Sequence, residues 1–106
     1  MRPHVPPIVL AVLLLPSPPA IAAPRTHVVT IDKMKFGAMP GGVRAGDRIS
    51  WVNKDLFRHT ATAKDGSFNA DLMPGATVTV VVRKAGAIVV TCRYHPGMRA
   101  MLKVSG

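Results

Sequence analysis

Apolar and polar residues alternate over short stretches in most of the chain after residue 25, a pattern typical of half-buried β-strands. The alternation is clearest in Arg48–Val52, where Ile49 and Trp51 share one face, and Thr77–Arg83 is rich in β-branched residues. Further strands are predicted at 26–31, 33–36, 43–45, 59–63, 87–92 and 100–104, and turn signals predict that 64–74 is mostly loop. About seven to eight short strands at regular spacing predict an all-β sandwich or barrel.

The first 22 residues follow another pattern. Arg2 is followed by the unbroken apolar run Ile8–Leu15, by prolines, and by the small-residue motif Ala20-Ile21-Ala22. This order is typical of a secretory signal peptide, and the run is far shorter than the ~20 apolar residues of a membrane-spanning helix. We therefore predict residues 1–22 as a cleaved signal peptide and residues 23–106 as the mature domain. Cleavage one residue later and an uncleaved anchor are the alternatives. The domain is expected in the periplasm or otherwise exported, without stable membrane insertion after cleavage.

Basic residues dominate the predicted mature domain. The chain has 14 Lys and Arg against 5 acidic residues, and without Arg2 the domain keeps 13 basic residues against the same 5. Such a balance suits an acidic protein, an anionic membrane surface or nucleic acid. The charges are spread singly rather than in runs, and an exported protein rarely meets nucleic acid. We therefore expect an acidic protein partner and no nucleic acid.

The chain has one cysteine, Cys92, which cannot form an internal disulfide. A lone cysteine in an exported domain implies an intermolecular bridge or a protected thiol, and a metal ligand is one form of protection. Cys92, His95 and Met98 place a thiolate, an imidazole and a thioether within seven residues. These donors suit copper, because electron-transfer copper sites combine two histidines and one cysteine with a weak axial methionine.

Such a site needs a second histidine. His4 lies in the predicted signal peptide and His27 lies inside a predicted strand, whereas His59 begins a strand directly after the turn at 53–55. A residue at a strand edge can reach a neighbouring loop, so His59 is preferred. The predicted metal ligands are His59, Cys92, His95 and Met98.

Each ligand has a plainer alternative. Cys92 can pack as a small buried residue, and either histidine can be an ordinary surface or core residue. Met101 competes with Met98 for the axial position, but its place inside the last predicted strand favours core packing. Ordinary packing is also favoured over a copper-loading surface for the other methionines of the domain, Met34, Met39 and Met73.

Two segments resemble the cupredoxins. Residues 47–55, DRISWVNKD, followed by His59 and Thr60, resemble the first-ligand region of cupredoxins such as plastocyanin and amicyanin. The C-x-x-H-x-x-M motif that begins at Cys92 is similar in spacing to the amicyanin ligand loop. The resemblance covers residues from about 26 to 104. It implies a Greek-key β-sandwich with one copper ion that cycles between Cu(II) and Cu(I).

By resemblance, the protein is a monomeric one-electron carrier and not an enzyme, and a copper delivery or storage module is the alternative. The absence of a paired carboxylate or an activated nucleophile agrees with this expectation. The resemblance also implies that the N–H of Thr60 donates to the Cys92 sulfur and that His95 is the surface port for electrons. Arg58, Arg93 and Arg99 flank the ligands and are expected to steer an acidic redox partner.

Tyr94 marks a departure, since these relatives have proline just before the loop histidine. Its backbone N–H is a donor that proline lacks. If this N–H reaches the Cys92 sulfur, it would raise the reduction potential by withdrawing charge from the thiolate.

Overall fold

A computed structural model describes residues 2–18 and 22–106. Residues 2–18 contain neither helix nor strand. Ala20 and Ile21 of the predicted cleavage motif lie outside the described residues. Across the two described ranges, the structure contains no helix with the length and apolar character required to cross a membrane.

Nine strands form two sheets. The strands are β1 (Thr26–Asp32), β2 (Lys35–Phe36), β3 (Val43–Arg44), β4 (Arg48–Asn53), β5 (His59–Ala63), β6 (Asn69–Leu72), β7 (Thr77–Val81), β8 (Gly86–Thr91) and β9 (Arg99–Ser105). One sheet has the order β2-β1-β4-β7 and the other the order β3-β9-β8-β5-β6. The pairs β1–β4 and β3–β9 are parallel and the other pairs are antiparallel. The predicted all-β sandwich is confirmed.

The strand that the sequence pattern missed is β6, which lies in the segment predicted as loop. It is only four residues long and stands between two turn clusters, so the turn signals outweighed its alternation. Ala70 and Leu72 point into the core, and the strand pairs with β5 at the edge of its sheet.

The core lies between the two sheets and is centred on Trp51, which is fully buried. Its ring packs against Phe36 and Phe68, each with a centroid distance of 5.9 Å. Ile49 shares the inward face of β4 with Trp51, as the alternation predicted. The prediction for Met101 is wrong: β9 turns Leu102 and its alternate neighbours inward, and the Met101 side chain is 46% exposed on the outer face.

Loops from both sheets meet at one end of the sandwich. β4 and β8 end there, and β5 and β9 begin there. The connections are residues 54–58 and 92–98. We call this the histidine end, because His59 and His95 lie there.

Candidate metal centre

Three side chains converge at the histidine end. His59 is the first residue of β5, Cys92 directly follows β8, and His95 lies in the loop before β9. The two imidazole Nδ1 atoms are 3.1 Å apart, and the Cys92 sulfur lies 3.6 Å from Nδ1 of His95 and 3.8 Å from Nδ1 of His59. His59 and Cys92 are buried and His95 is half-buried. The structure therefore brings together three of the four predicted ligands, one from the start of β5 and two from the connection between β8 and β9.

The spacing of these three atoms fits a single metal ion. A triangle with sides of 3.1, 3.6 and 3.8 Å has a circumradius of about 2.0 Å, which is close to the usual length of a metal–imidazole bond. One thiolate and two imidazoles also form the trigonal donor set of electron-transfer copper sites. The residues present therefore fit copper both in their chemistry and in their separation.

Met98 lies close to this cluster along the chain and is buried, with 4% of its surface exposed. Its backbone N–H donates to the carbonyl oxygen of His95 at 2.9 Å, which closes the loop behind the histidine. Because Met101 lies on the outer face of β9, burial favours Met98 as the thioether donor.

Asp55 orients the His59 ring. Its carboxylate accepts a hydrogen bond from Nε2 of His59 at 2.7 Å, so the proton is on Nε2 and the Nδ1 lone pair faces the sulfur. The backbone N–H groups of Lys33 and Met34 donate to the same carboxylate at 2.7 and 2.9 Å. Although burial opposes it, the N–H of Met34, the His59 ring and the N–H of Lys33 hold the pKa of Asp55 below its usual value.

A carboxylate that fixes a metal-binding histidine in this way raises the basicity of the ligating nitrogen. Asp55, which the sequence pattern assigned only to a turn, thus supports the candidate metal centre by holding His59. The sequence feature that could have identified Asp55 is its position four residues before His59.

The sulfur of Cys92 accepts one backbone hydrogen bond. The N–H of Thr60 donates to it at 3.3 Å, as the resemblance implied. The Thr60 hydroxyl in turn accepts the N–H of Arg93 at 2.9 Å, which ties the loop to β5. Among the hydrogen bonds of residues 22–106, the N–H of Tyr94 makes none to the sulfur. The structure therefore does not give Tyr94 the tuning role that its sequence position suggested.

Asn53 holds the loop that carries Asp55. Its buried side-chain amide donates to the carbonyl oxygens of Phe57 and Leu72 at 2.8 and 3.0 Å, and its side-chain oxygen accepts the N–H of Asp55 at 2.9 Å. These bonds connect the end of β4 to the end of β6. The loop is thereby fixed on both sides of the site.

The surface around His95 is apolar. Phe57 is 58% exposed, and its ring lies edge-on to the His95 ring with centroids 6.3 Å apart. The other large apolar side chains exposed at this end are Leu56, Met73, Tyr94 and, in the turn after β1, Met34. This surface surrounds the one ligand that is not fully buried.

Arg58 is engaged within the molecule. Its guanidinium forms an ion pair with Asp71, with Nε 2.9 Å from Oδ1, and lies 4.9 Å from the centroid of the Tyr94 ring. Its charge is therefore partly compensated. Arg93 and Arg99 are exposed and remain as the bases that flank the loop.

Comparison with known proteins agrees with this geometry. No protein-family model matches the chain. The chain is 30% identical over 83 residues to amicyanin from Paracoccus versutus, an alignment that covers 73% of this chain and 63% of that protein. The chain thus spans somewhat less than two thirds of this relative.

Solved amicyanin structures are also similar. The crystal structure of amicyanin from Paracoccus versutus superposes with a TM-score of 0.62 at 27% identity, and covers 74% of this chain and 79% of that one. A methionine-to-alanine variant of amicyanin in its Cu(I) form gives a TM-score of 0.63 at 25% identity, with coverage of 74% and 80%.

The chain has a cupredoxin-like two-sheet fold, and its candidate site of one thiolate and two imidazoles is of the kind found in that class. Within that class, the chain is amicyanin-like, both in the spacing of its ligand loop and in overall structure.

Proposed function

We propose that this protein is an exported type 1 copper protein that carries one electron at a time between redox partners. Its copper ion is held by His59, Cys92, His95 and Met98. The observation that carries the proposal is the triangle formed by the Cys92 sulfur and the two Nδ1 atoms, whose size fits one metal ion. When bound, copper supplies a Cu(II)/Cu(I) couple.

The surrounding residues keep the ligands in one arrangement. Asp55 fixes the tautomer and direction of the His59 ring, and Thr60 holds the sulfur through its backbone N–H. A rigid set of donors suits both oxidation states and limits reorganisation when an electron moves. Four protein donors also leave no open position for a substrate, which supports a carrier rather than an enzyme.

Electrons enter and leave through His95 in this proposal. Of the three clustered ligands it is the one that is only half-buried, and Phe57 and Tyr94 extend the surface beside it. The exposed bases Arg93 and Arg99 support an acidic redox protein as the partner, because opposite charges speed encounter. Arg58 contributes less than its sequence position suggested, since Asp71 is bound to it.

The mature form of this carrier consists of residues 23–106 after removal of residues 1–22, and it acts as a monomer in the periplasm or otherwise outside the cytoplasm. The order of charged start, apolar run and small residues supports this assignment.

Titration of the metal-free mature domain with Cu(II) tests the proposal. We expect an intense thiolate-to-copper absorption band towards the red end of the visible spectrum, with one copper bound per chain. C92S should abolish the band. M98L should shift the band, whereas M101L, which changes an exposed methionine three residues away, should leave it in place.

Colourless Cu(I) binding with ready release would instead indicate a delivery module. If the domain bound no copper, both the carrier function and the delivery function would be overturned.

A further inference from the structure

The end of the sandwich opposite the histidine end gathers four arginines around one turn. The backbone N–H groups of Arg25 and Arg44 donate to the carboxylate of Asp47 at 2.9 and 3.0 Å. Arg48 directly follows Asp47, and its N–H donates to the carbonyl oxygen of Arg25 at 2.8 Å. The N–H of Val82 donates to the carbonyl oxygen of Asp47 at 2.8 Å, and Arg83 is the next residue in the chain. We call this group of four the arginine end.

These arginines are free to meet a partner. All four side chains are exposed, and within residues 22–106 none of them forms an ion pair. The carboxylate between them, the buried Asp47 side chain that is bound to His27 at 3.0 Å and to backbone N–H groups, offsets only one of the four positive charges. The arginine end therefore presents a concentrated positive charge.

This charge is too far from His95 to guide an electron partner. β4 runs the length of the sandwich from Arg48 to Asn53, and β9 runs back from Arg99 to Ser105, which pairs with Arg44. At a rise of ~3.3 Å per residue the two ends are about 20 Å apart. Because the Debye length at physiological ionic strength is only about 8 Å, the arginine end contributes little to an encounter at His95.

The chemistry of the arginine end favours a lipid surface over a protein. Stable protein interfaces have aromatic and apolar residues at their centre. Here the residues between the arginines are small, namely Gly42, Ala45 and Gly46. The exposed aromatic residues of the domain lie at the histidine end instead. Charge without apolar anchors is what the headgroups of an anionic membrane recognise.

The position of the predicted signal peptide agrees with the choice of a lipid surface. Residues 22–25 line a cleft of about 590 Å³ together with Arg44 and Asp47, so the chain that precedes β1 leaves the domain at the arginine end. While the proposed signal peptide, residues 1–22, is in the membrane, the arginine end is therefore the end of the domain nearest to it.

We propose that the arginine end docks the exported domain on the headgroups of anionic phospholipids. The docked domain then directs the histidine end, with its metal centre, away from the bilayer and towards its partner. The value of this orientation rests on the proposed carrier function. Lipid binding itself requires no copper, so failure of one proposal is distinguishable from failure of the other.

Co-sedimentation of the mature domain with vesicles tests the proposal. The probes are phosphatidylcholine vesicles with and without phosphatidylglycerol, at low and at physiological ionic strength. The test variant is R44Q/R48Q/R83Q. The matched control is K54Q/R93Q/R99Q, which removes the same charge from the histidine end. Circular dichroism checks that both variants are folded.

We expect the wild type to bind only the phosphatidylglycerol vesicles and to be released by salt. The test variant should lose affinity on the order of a hundredfold, since each base near an anionic surface contributes about a factor of five. The control variant should lose far less affinity for these vesicles. Equal losses in both variants would overturn the proposal, because they would show attraction by net charge without orientation. A wild type that ignores anionic vesicles at low ionic strength would overturn it as well.

Discussion

The imidazole of His59 is held from two directions. Its Nδ1 faces the sulfur of Cys92, and its Nε2 donates to Asp55 at 2.7 Å. Because the carboxylate also accepts the N–H groups of Lys33 and Met34, it cannot turn away from the ring without losing those bonds. The direction of the His59 lone pair thus depends on a turn that lies more than twenty residues earlier in the chain.

The variant D55N tests this dependence. Asparagine offers a neutral and weaker acceptor to Nε2, so the ligating nitrogen becomes less basic. We expect copper affinity to fall by about 10- to 100-fold, measured by competition with a chelator of known affinity. D65N removes an acid from the exposed turn after β5 and is the matched control. An affinity for copper that is the same in D55N and the wild type would show that Asp55 only shapes the loop.

The donor atoms of the site follow from the sequence more readily than their supports do. Cys92, His95 and Met98 are close along the chain, and their types alone point to copper. Asp55 stands in an Asn-Lys-Asp turn, where acids are common for local reasons. Its role comes from contacts with residues 33 and 34, and no local pattern contains that information.

At the scale of strands, alternation predicted which residues face the core but not how the strands pair. Ile49 and Trp51 are buried on β4 as expected. That β1 and β4 are parallel neighbours depends on both sheets closing over one core, and this is a property of the whole chain. The bonds of Asp47 secure one end of that parallel pair, since they connect residue 25 to the turn between β3 and β4.

Asp47 gives this connection a pH dependence. The N–H of Arg25, then the His27 ring and the N–H of Arg44, hold the pKa of Asp47 well below its ordinary value of 3.8. As the pH falls, the unfolded chain therefore takes up its proton first. The stabilisation is complete above the ordinary pKa and is lost as the pH falls from there towards the lowered value.

The variant D47N should therefore unfold at lower denaturant concentration than the wild type at neutral pH. Below about pH 4 the difference between the two should narrow. Denaturant unfolding of the metal-free domain across this range provides the measurement, and D32N removes an exposed acid from the other end of β1 as the control. A constant difference at every pH would mean that the side chain acts through its shape and not through its charge.

At the scale of the whole molecule, folding separates charges that are scattered evenly along the sequence. Arg25, Arg83 and the neighbouring pair Arg44 and Arg48 come from three separate parts of the chain. They meet because Asp47 and its neighbours connect the strands that carry them. The composition shows the excess of positive charge, and from the sequence this charge was predicted to serve a redox partner. The structure divides it between two ends, and at the histidine end it pairs Arg58 with Asp71.

This division predicts how the domain reacts with a small anionic oxidant. Ferricyanide should approach the reduced copper protein through the surface around His95, where Arg93 and Arg99 attract it. We expect R93Q/R99Q to slow its oxidation several-fold in stopped-flow measurements at an ionic strength of about 0.1 M, where the Debye length is about 10 Å, and the difference to shrink as more salt is added. R48Q/R83Q removes the same charge about 20 Å away and should change the rate little.

If both variants slowed the reaction equally, net charge would govern the encounter and His95 would have no special place in it. A slower reaction in R93Q/R99Q alone would locate the port at His95, because only charges within a Debye length of the point of electron transfer can act on a small ion as it arrives.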